Sequence, residues 1–196
     1  MLDTIFGRNT AVKQTQRRLA HLLFVVGATP NQVTLAGLAC GIAAGVAFGL
    51  RATGWGIVLL LISAGLDAVD GTLAREFAVP TALGGILDLC ADRLVESAVI
   101  IAIVWQRPAL YLPSLLLVAS WYINITVFLA SGVALERGDK LITYAPGWVE
   151  RGEAIVFFIV LALIPLIGPW LCYLYTALEL LTAAQRLRFA HAALGS

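Results

Sequence analysis

The sequence predicts an all-α integral membrane protein: six transmembrane helices preceded by an N-terminal interfacial amphipathic helix. Three observations carry that expectation. The chain of 196 residues is 60% hydrophobic and only 13% charged, with a mean hydropathy of +0.91, which is too apolar for a water-soluble domain of this length. Its apolar residues gather in runs of roughly 20, the length that crosses a bilayer as a helix. Four carboxylates, Asp67, Asp70, Asp88 and Asp92, interrupt those runs, where an ionised group costs at least a few kcal/mol. The net charge of +1 says nothing about nucleic acid, no basic run suggests it, and no nucleic-acid partner is expected.

Residues 1–16 are mixed and polar, with no cleavable signal pattern, and 1–12 read as a tail. RRLAHLLFVVG, residues 17–27, sets an apolar stretch behind a basic pair and reads as a short helix lying at the interface. His21 is then an interfacial side chain, since no histidine or cysteine stands near it to share a metal. TPNQVT, residues 29–34, is a turn followed by a helix start. Spans are expected near 33–50, 54–75, 82–105, 109–133, 152–167 and 169–188, the last two separated by the Gly168-Pro169 turn. Neither a repeat nor a linker interrupts them. The chain 1–196 therefore reads as one domain, with 1–32 as its juxtamembrane segment. Cys40, Cys90 and Cys172 lie inside apolar runs and make no metal or disulfide pattern; Cys90 reads as a buried thiol turned away from Asp88 and Asp92.

Basic residues orient the spans. Arg8, Lys13, Arg17, Arg18, Arg75, Arg137, Lys140, Arg151, Arg186 and Arg188 fall in one set of connections and only Arg51 and Arg107 in the other. This asymmetry puts both termini and the aspartates on the cytoplasmic side. Trp55, Trp105, Trp148 and Trp170 sit near span ends, as an aromatic belt requires.

Between the second and third spans, residues 67–92 read DAVDGTLAREFAVPTALGGILDLCAD. On a helix Asp67, Asp70, Gly71, Ala74 and Arg75 share one face, and Gly84, Asp88 and Asp92 share another. Pro80 and Thr81 supply a turn and a helix cap between them. The stretch is thus a helical hairpin with two carboxylates per arm. If the arms pack antiparallel, Asp70 lies level with Asp88 and Asp67 with Asp92. Four acids in one small volume would partly protonate unless cations hold them. Oxygen-only ligands suit hard cations, Mg²⁺ first, then Mn²⁺ or Ca²⁺. About 13 apolar residues, Gly54 to Leu66, precede Asp67. At 1.5 Å each they cover roughly 20 Å, which leaves Asp67 about 10 Å from the cytoplasmic face.

The pattern D-x2-D-G-x2-A-R-x8-G-x3-D-x3-D, filled here by Asp67, Asp70, Gly71, Ala74, Arg75, Gly84, Asp88 and Asp92, resembles the signature of the CDP-alcohol phosphotransferase (CDP-alcohol phosphatidyltransferase) family. That family consists of integral membrane enzymes of lipid synthesis that displace CMP from a CDP-linked alcohol with an acceptor hydroxyl. The resemblance implies two Mg²⁺ ions, with Mn²⁺ as substitute, held by Asp67, Asp70, Asp88 and Asp92. It implies that Asp92 also takes the acceptor's proton. It further implies nucleotide contacts from Asn31, Gln32, Val33, Thr34, Gly71, Ala74, Arg75, Thr81 and Gly84, and a homodimer in a bacterial or archaeal cytoplasmic membrane.

The later half looks most like the branch that makes phosphatidylinositol phosphate, where Gly-x2-Glu-Arg-x-Glu-Arg opens the fifth span. Here Gly147, Glu150, Arg151 and Glu153 are present, but Ala154 replaces the last arginine. The fourth span carries Asn124 and Thr126 where that branch has basic residues. The expected acceptor is accordingly an uncharged or zwitterionic hydroxyl compound, touched by Asn124, Thr126 and Arg151. The leading function is transfer of a phosphatidyl group from CDP-diacylglycerol to that hydroxyl. The alternative enzyme moves a phospho-head group from a CDP-linked polar alcohol to a lipid hydroxyl such as diacylglycerol. A divalent-cation transporter is the non-enzyme alternative.

Overall fold

The structure is a computed structural model and describes residues 10–135 and 151–194, with no strand among them. The described residues form seven α-helices: α1 Thr10–Val25, α2 Pro30–Gly49, α3 Thr53–Glu76, α4 Ala82–Trp105, α5 Tyr111–Leu135, α6 Arg151–Leu163 and α7 Gly168–Leu194. Single 3₁₀ turns, Pro108–Leu110 and Pro165–Ile167, precede α5 and α7. The interfacial helix begins at Thr10, earlier than its sequence pattern suggested, and so replaces the end of the expected tail. The break before α7 falls at Pro165, while Pro169 sits in the helix's first turn, where a proline N–H is not missed. Trp148 and the Gly147 to Glu150 stretch lie outside the described residues.

Among the described residues four helical segments are long and apolar enough to cross a membrane: Pro30–Gly49, Thr53–Glu76, Pro108–Leu135 and Pro165–Leu194. The expected all-helical membrane fold is met, and four of the six expected spans are matched by these segments. α4 has the length but carries Asp88, Asp92, Arg93 and Glu96, and α6 has 13 residues, about 20 Å. Apolar side chains such as Leu35, Val46, Val58, Leu61, Ile101, Leu115 and Leu174 face outward, as hydrocarbon surroundings allow and water does not. Trp55, Trp105 and Trp170 are also strongly exposed at helix ends. Cys90, read from the sequence as buried, is exposed, because the face of α4 opposite Asp88 and Asp92 looks outward.

α2 is the centre of the N-terminal half. It packs along both α3 and α4, far more than those two arms pack on each other. The reason is a stripe of glycines at four-residue spacing. A Cβ at Gly37 would touch Leu66 and Ser63 of α3, one at Gly41 would overlap Val95 of α4, and one at Gly45 would lie 3.1 Å from the Ala98 backbone. Close approach of membrane helices depends on such small residues. The hydroxyl of Ser63 adds a 2.8 Å bond to the Gly37 carbonyl. Overpacking this seam is expected to cost about 1–3 kcal/mol. Gly45→Leu should then lower the melting temperature in detergent by roughly 5 °C, whereas Gly65→Ala, with nothing within 4 Å of its added Cβ, should not. Equal melting temperatures for the two variants would contradict the close contact.

In the other half α5 packs mainly on α7. One apolar cluster joins the halves, running from Phe48 and Leu60 through Val99, Ile103, Leu110 and Leu117 to Phe157, Phe158, Leu161 and Tyr175. α1 docks through a smaller cluster of Ala20, Val33, Val69 and Leu73.

Candidate active site

Three of the four aspartates converge. One carboxylate oxygen each from Asp67, Asp70 and Asp88 lies within 4.8 Å of the other two. Asp67 and Asp70 stand one turn apart on α3, and Asp88 comes from the second turn of α4. The expected nearness of Asp70 to Asp88 is met, whereas Asp67 lies with Asp88 and not with Asp92. α2, wedged between the arms, sets them so that both α3 acids face Asp88. Asp92 stands outside the triplet, one turn further along α4, and lines a small cavity with Ser63, Ala64, Glu96 and Phe158.

Thr34 reaches the triplet from α2. Its hydroxyl donates to Asp70 Oδ2 at 2.5 Å, and the Thr34 Oγ1 also lies 3.1 Å from the Pro30 carbonyl oxygen. Asp70 is 5% exposed, so a fixed donor holds its carboxylate from behind. Asp88 Oδ1 is buried and has no hydrogen-bond partner. An orphaned carboxylate oxygen beside two further carboxylates fits a hard divalent cation, whose ligands are oxygens.

The glycines of the hairpin admit neighbouring side chains. A Cβ at Gly71 would lie 3.0 Å from an Arg75 guanidinium nitrogen, so Arg75 folds back over Gly71. One at Gly84 would lie 3.1 Å from both Asn31 Oδ1 and Thr81 Oγ1. The start of α2 and the start of α4 therefore meet over Gly84, one turn before Asp88, while Arg75 covers Gly71, one turn after Asp67. Glu76, the neighbour that could have neutralised Arg75, pairs instead with Arg17 of α1 at 2.8 Å.

Not every residue expected here is available. Gln32 closes a capping box with Thr29, accepting from the Thr29 N–H at 2.9 Å. Val33 is buried in the α1 cluster, and Ala74 offers a half-buried methyl. Thr81 caps α4 by accepting from the Gly84 N–H at 3.0 Å. Thr126 is exposed and its hydroxyl donates to the Tyr122 carbonyl of its own helix, so it does not join Asn124. Two residues apart, they lie on opposite sides of α5. Asn124 is buried and doubly engaged: its amide donates to Glu179 and its oxygen accepts from Arg186 at 2.8 Å. Arg186 also lies over the Phe128 ring, 4.7 Å from its centre. Arg151 opens α6, and its side chain is outside the described set, as are Arg137 and Lys140.

The sequence reading passed over Arg93, Glu96 and Glu179. Arg93, next to Asp92, and Glu96, one turn beyond it, form a two-pronged pair at 2.6 and 2.8 Å, and Glu179 anchors the α5–α7 network. The signal was present, since each is a charge inside an apolar helix.

The fold and this site define a helical membrane protein with an acidic, cation-fitting cluster where α2, α3 and α4 meet. The chain belongs to the CDP-alcohol phosphatidyltransferase family, which matches residues 27–184, and it is a transferase of that class. The expectation of a phosphatidyltransferase with a CDP-linked donor is met at that level, and the cation-transporter alternative is set aside. The chain is 33% identical over 146 residues to a phosphatidylinositol phosphate synthase of Corynebacterium glutamicum, covering 72% of this chain and 66% of that one. It is 30% identical to an archaetidylinositol phosphate synthase of Pyrococcus horikoshii, covering 89% and 90%. The crystal structure of the Mycobacterium tuberculosis phosphatidylinositol phosphate synthase with CDP-DAG bound superposes with a TM-score of 0.74 at 22% identity, covering 91% of this chain and 94% of that one. The same enzyme in complex with manganese and citrate gives 0.71 at 23%, covering 89% and 88%. These two likenesses show the fold.

Proposed function

We propose that the protein transfers the phosphatidyl group of CDP-diacylglycerol to the hydroxyl of a small acceptor and releases CMP. The observation that carries this reading is the Asp67, Asp70 and Asp88 triplet with its orphaned Asp88 oxygen, with Arg75 over Gly71 and Asn31 and Thr81 over Gly84, each glycine one turn from a triplet aspartate. A bound divalent cation would supply charge neutralisation at the pyrophosphate and at the leaving phosphate. Mg²⁺ is the expected ion. A second ion reaching Asp92 is carried over from the family resemblance, as is the homodimer.

The protein's own residues do the rest. The Arg75 guanidinium, held over Gly71, meets the donor's phosphates, and Asn31, Thr34, Thr81 and Gly84 shape the nucleotide side. Asp92 takes the proton of the acceptor hydroxyl. The acceptor oxygen bonds to the phosphorus of the phosphatidyl group. The bond from that phosphorus to the bridging oxygen breaks, and CMP leaves with that oxygen. Purified protein given Mg²⁺, CDP-diacylglycerol and a panel of alcohols should release CMP. Release only from CDP-linked polar alcohols with diacylglycerol would reverse donor and acceptor.

For the acceptor we infer an uncharged or zwitterionic hydroxyl compound. Among the described side chains no arginine pair stands ready for a phosphate: Ala154 is in the apolar core, and Arg186 is committed to Asn124 and Phe128. A phosphate dianion calls for fixed, bidentate donors. The relatives' names point to phosphorylated inositol products, so inositol phosphate belongs in the panel. CMP release far faster with inositol phosphate or glycerol 3-phosphate than with every unphosphorylated alcohol would overturn the inference.

Residues 1–196 act as one domain in this reading. α4, 24 residues long with Asp88, Asp92 and Glu96 turned toward α3 and α6, also crosses the membrane, as does α6 with its following turn, which brings the four spans to six. Both termini and the aspartates face the cytoplasm of a bacterial or archaeal cell. Cysteines placed at Arg51 and Arg137 should then label from opposite sides of sealed vesicles. Labelling from one side rules the topology out.

A further inference from the structure

α1 and the end of α3 enclose a separate groove of about 520 Å³, within the roughly 300–1,000 Å³ range of small-molecule sites. Gln14, Arg17, Arg18, His21 and Leu22 of α1 line it together with Phe77 at the end of α3, and none of the four aspartates does. The five α1 residues fall at i, i+3, i+4, i+7 and i+8, one helical face. A different stripe of α1, centred on the fully buried Ala20, does the packing on Val33, Val69 and Leu73. The groove face is therefore left open. Phe77 floors it, edge-on to His21 at 5.6 Å and stacked with Phe24 at 5.8 Å.

Charge and depth narrow the occupant. Arg17 is neutralised by Glu76 at 2.8 Å, whereas Arg18 is exposed and has no ion pair among the described residues. One positive charge is left over, a match for a phosphodiester. α1 leads into α2 at the start of one membrane-crossing helix, and Phe77 closes another. The groove thus lies where the chain enters and leaves the bilayer, at headgroup level. Leu22, Val25 and Val26 continue from it as an exposed apolar ridge, which suits acyl chains rather than a dissolved anion. We propose that this groove binds the headgroup of an anionic phospholipid, with its phosphodiester at Arg18 and His21 and its glycerol against Leu22 and Phe77. Because Phe77 follows Arg75 and Glu76, the bound lipid also steadies the end of α3 that carries Arg75.

The test titrates the purified full chain in neutral detergent with short-chain phosphatidylglycerol, short-chain phosphatidylcholine and glycerol 3-phosphate. Binding is read by thermal shift and by lipid retained in native mass spectrometry. Neither readout needs turnover, so the outcome is independent of the proposed reaction. Phosphatidylglycerol should raise the melting temperature and be retained, and the other two should not. Arg18→Gln, an exposed change, should weaken phosphatidylglycerol binding about five-fold, and Arg188→Gln on α7 should not. The proposal is overturned if phosphatidylcholine binds equally well, if glycerol 3-phosphate alone matches the lipid, or if Arg18→Gln binds like the wild type.

Discussion

Asp70→Asn is expected to lower CMP release by two to three orders of magnitude and to weaken Mn²⁺ binding at least ten-fold. Asp70 is the buried member of the triplet, 5% exposed, with its carboxylate fixed by Thr34 at 2.5 Å. The amide keeps the shape but removes one of three charges from a donor set suited to a hard cation. The loss of several kcal/mol of charge stabilisation converts to the stated rate effect, about 1.4 kcal/mol per decade. Thr34→Val removes only the supporting donor and should cost roughly 10–100-fold, as supporting partners of ligands do. Chelator should silence the wild type, and added Mg²⁺ or Mn²⁺ should restore it. Turnover by Asp70→Asn within ten-fold of the wild type, or full activity in chelator, would remove the triplet from the mechanism.

Asp92→Asn should separate chemistry from binding. Asp92 stands outside the group of oxygens within 4.8 Å and shares its cavity with Glu96, Ser63 and Ala64. An asparagine there cannot accept the acceptor's proton, and loss of a general base is expected to cost about 10²–10⁴-fold in turnover. The triplet is untouched, so Mn²⁺ affinity should fall much less than in Asp70→Asn, and CDP-diacylglycerol should still bind. Electron paramagnetic resonance of Mn²⁺ alongside a CMP-release assay reads both quantities on one sample. More than a tenth of wild-type turnover would exclude Asp92 as the base. An affinity loss as large as that of Asp70→Asn would make it a ligand of the first rank.

The sequence by itself determined the elements and the chemical content of the site. Runs of about 20 apolar residues, bounded by Gly, Pro and capping Thr, mark where helices start and stop. The helical period alone puts Asp67 with Asp70, and Asp88 with Asp92, on common faces. Those are local properties, written in spacings of three and four. Only the tertiary structure decided which faces meet. The glycine stripe of α2 draws α3 and α4 to itself and brings Asp67, Asp70 and Asp88 together without Asp92. It also brings Thr34 to Asp70 across 36 residues and Asn31 to Gly84. In the other half Asn124 is engaged by Glu179 and Arg186, some 55 and 62 residues away, and Thr126 turns outward. Such contacts depend on the rotation of each helix about its axis. That rotation is set by how closely neighbours can approach, which no periodicity within a single segment records.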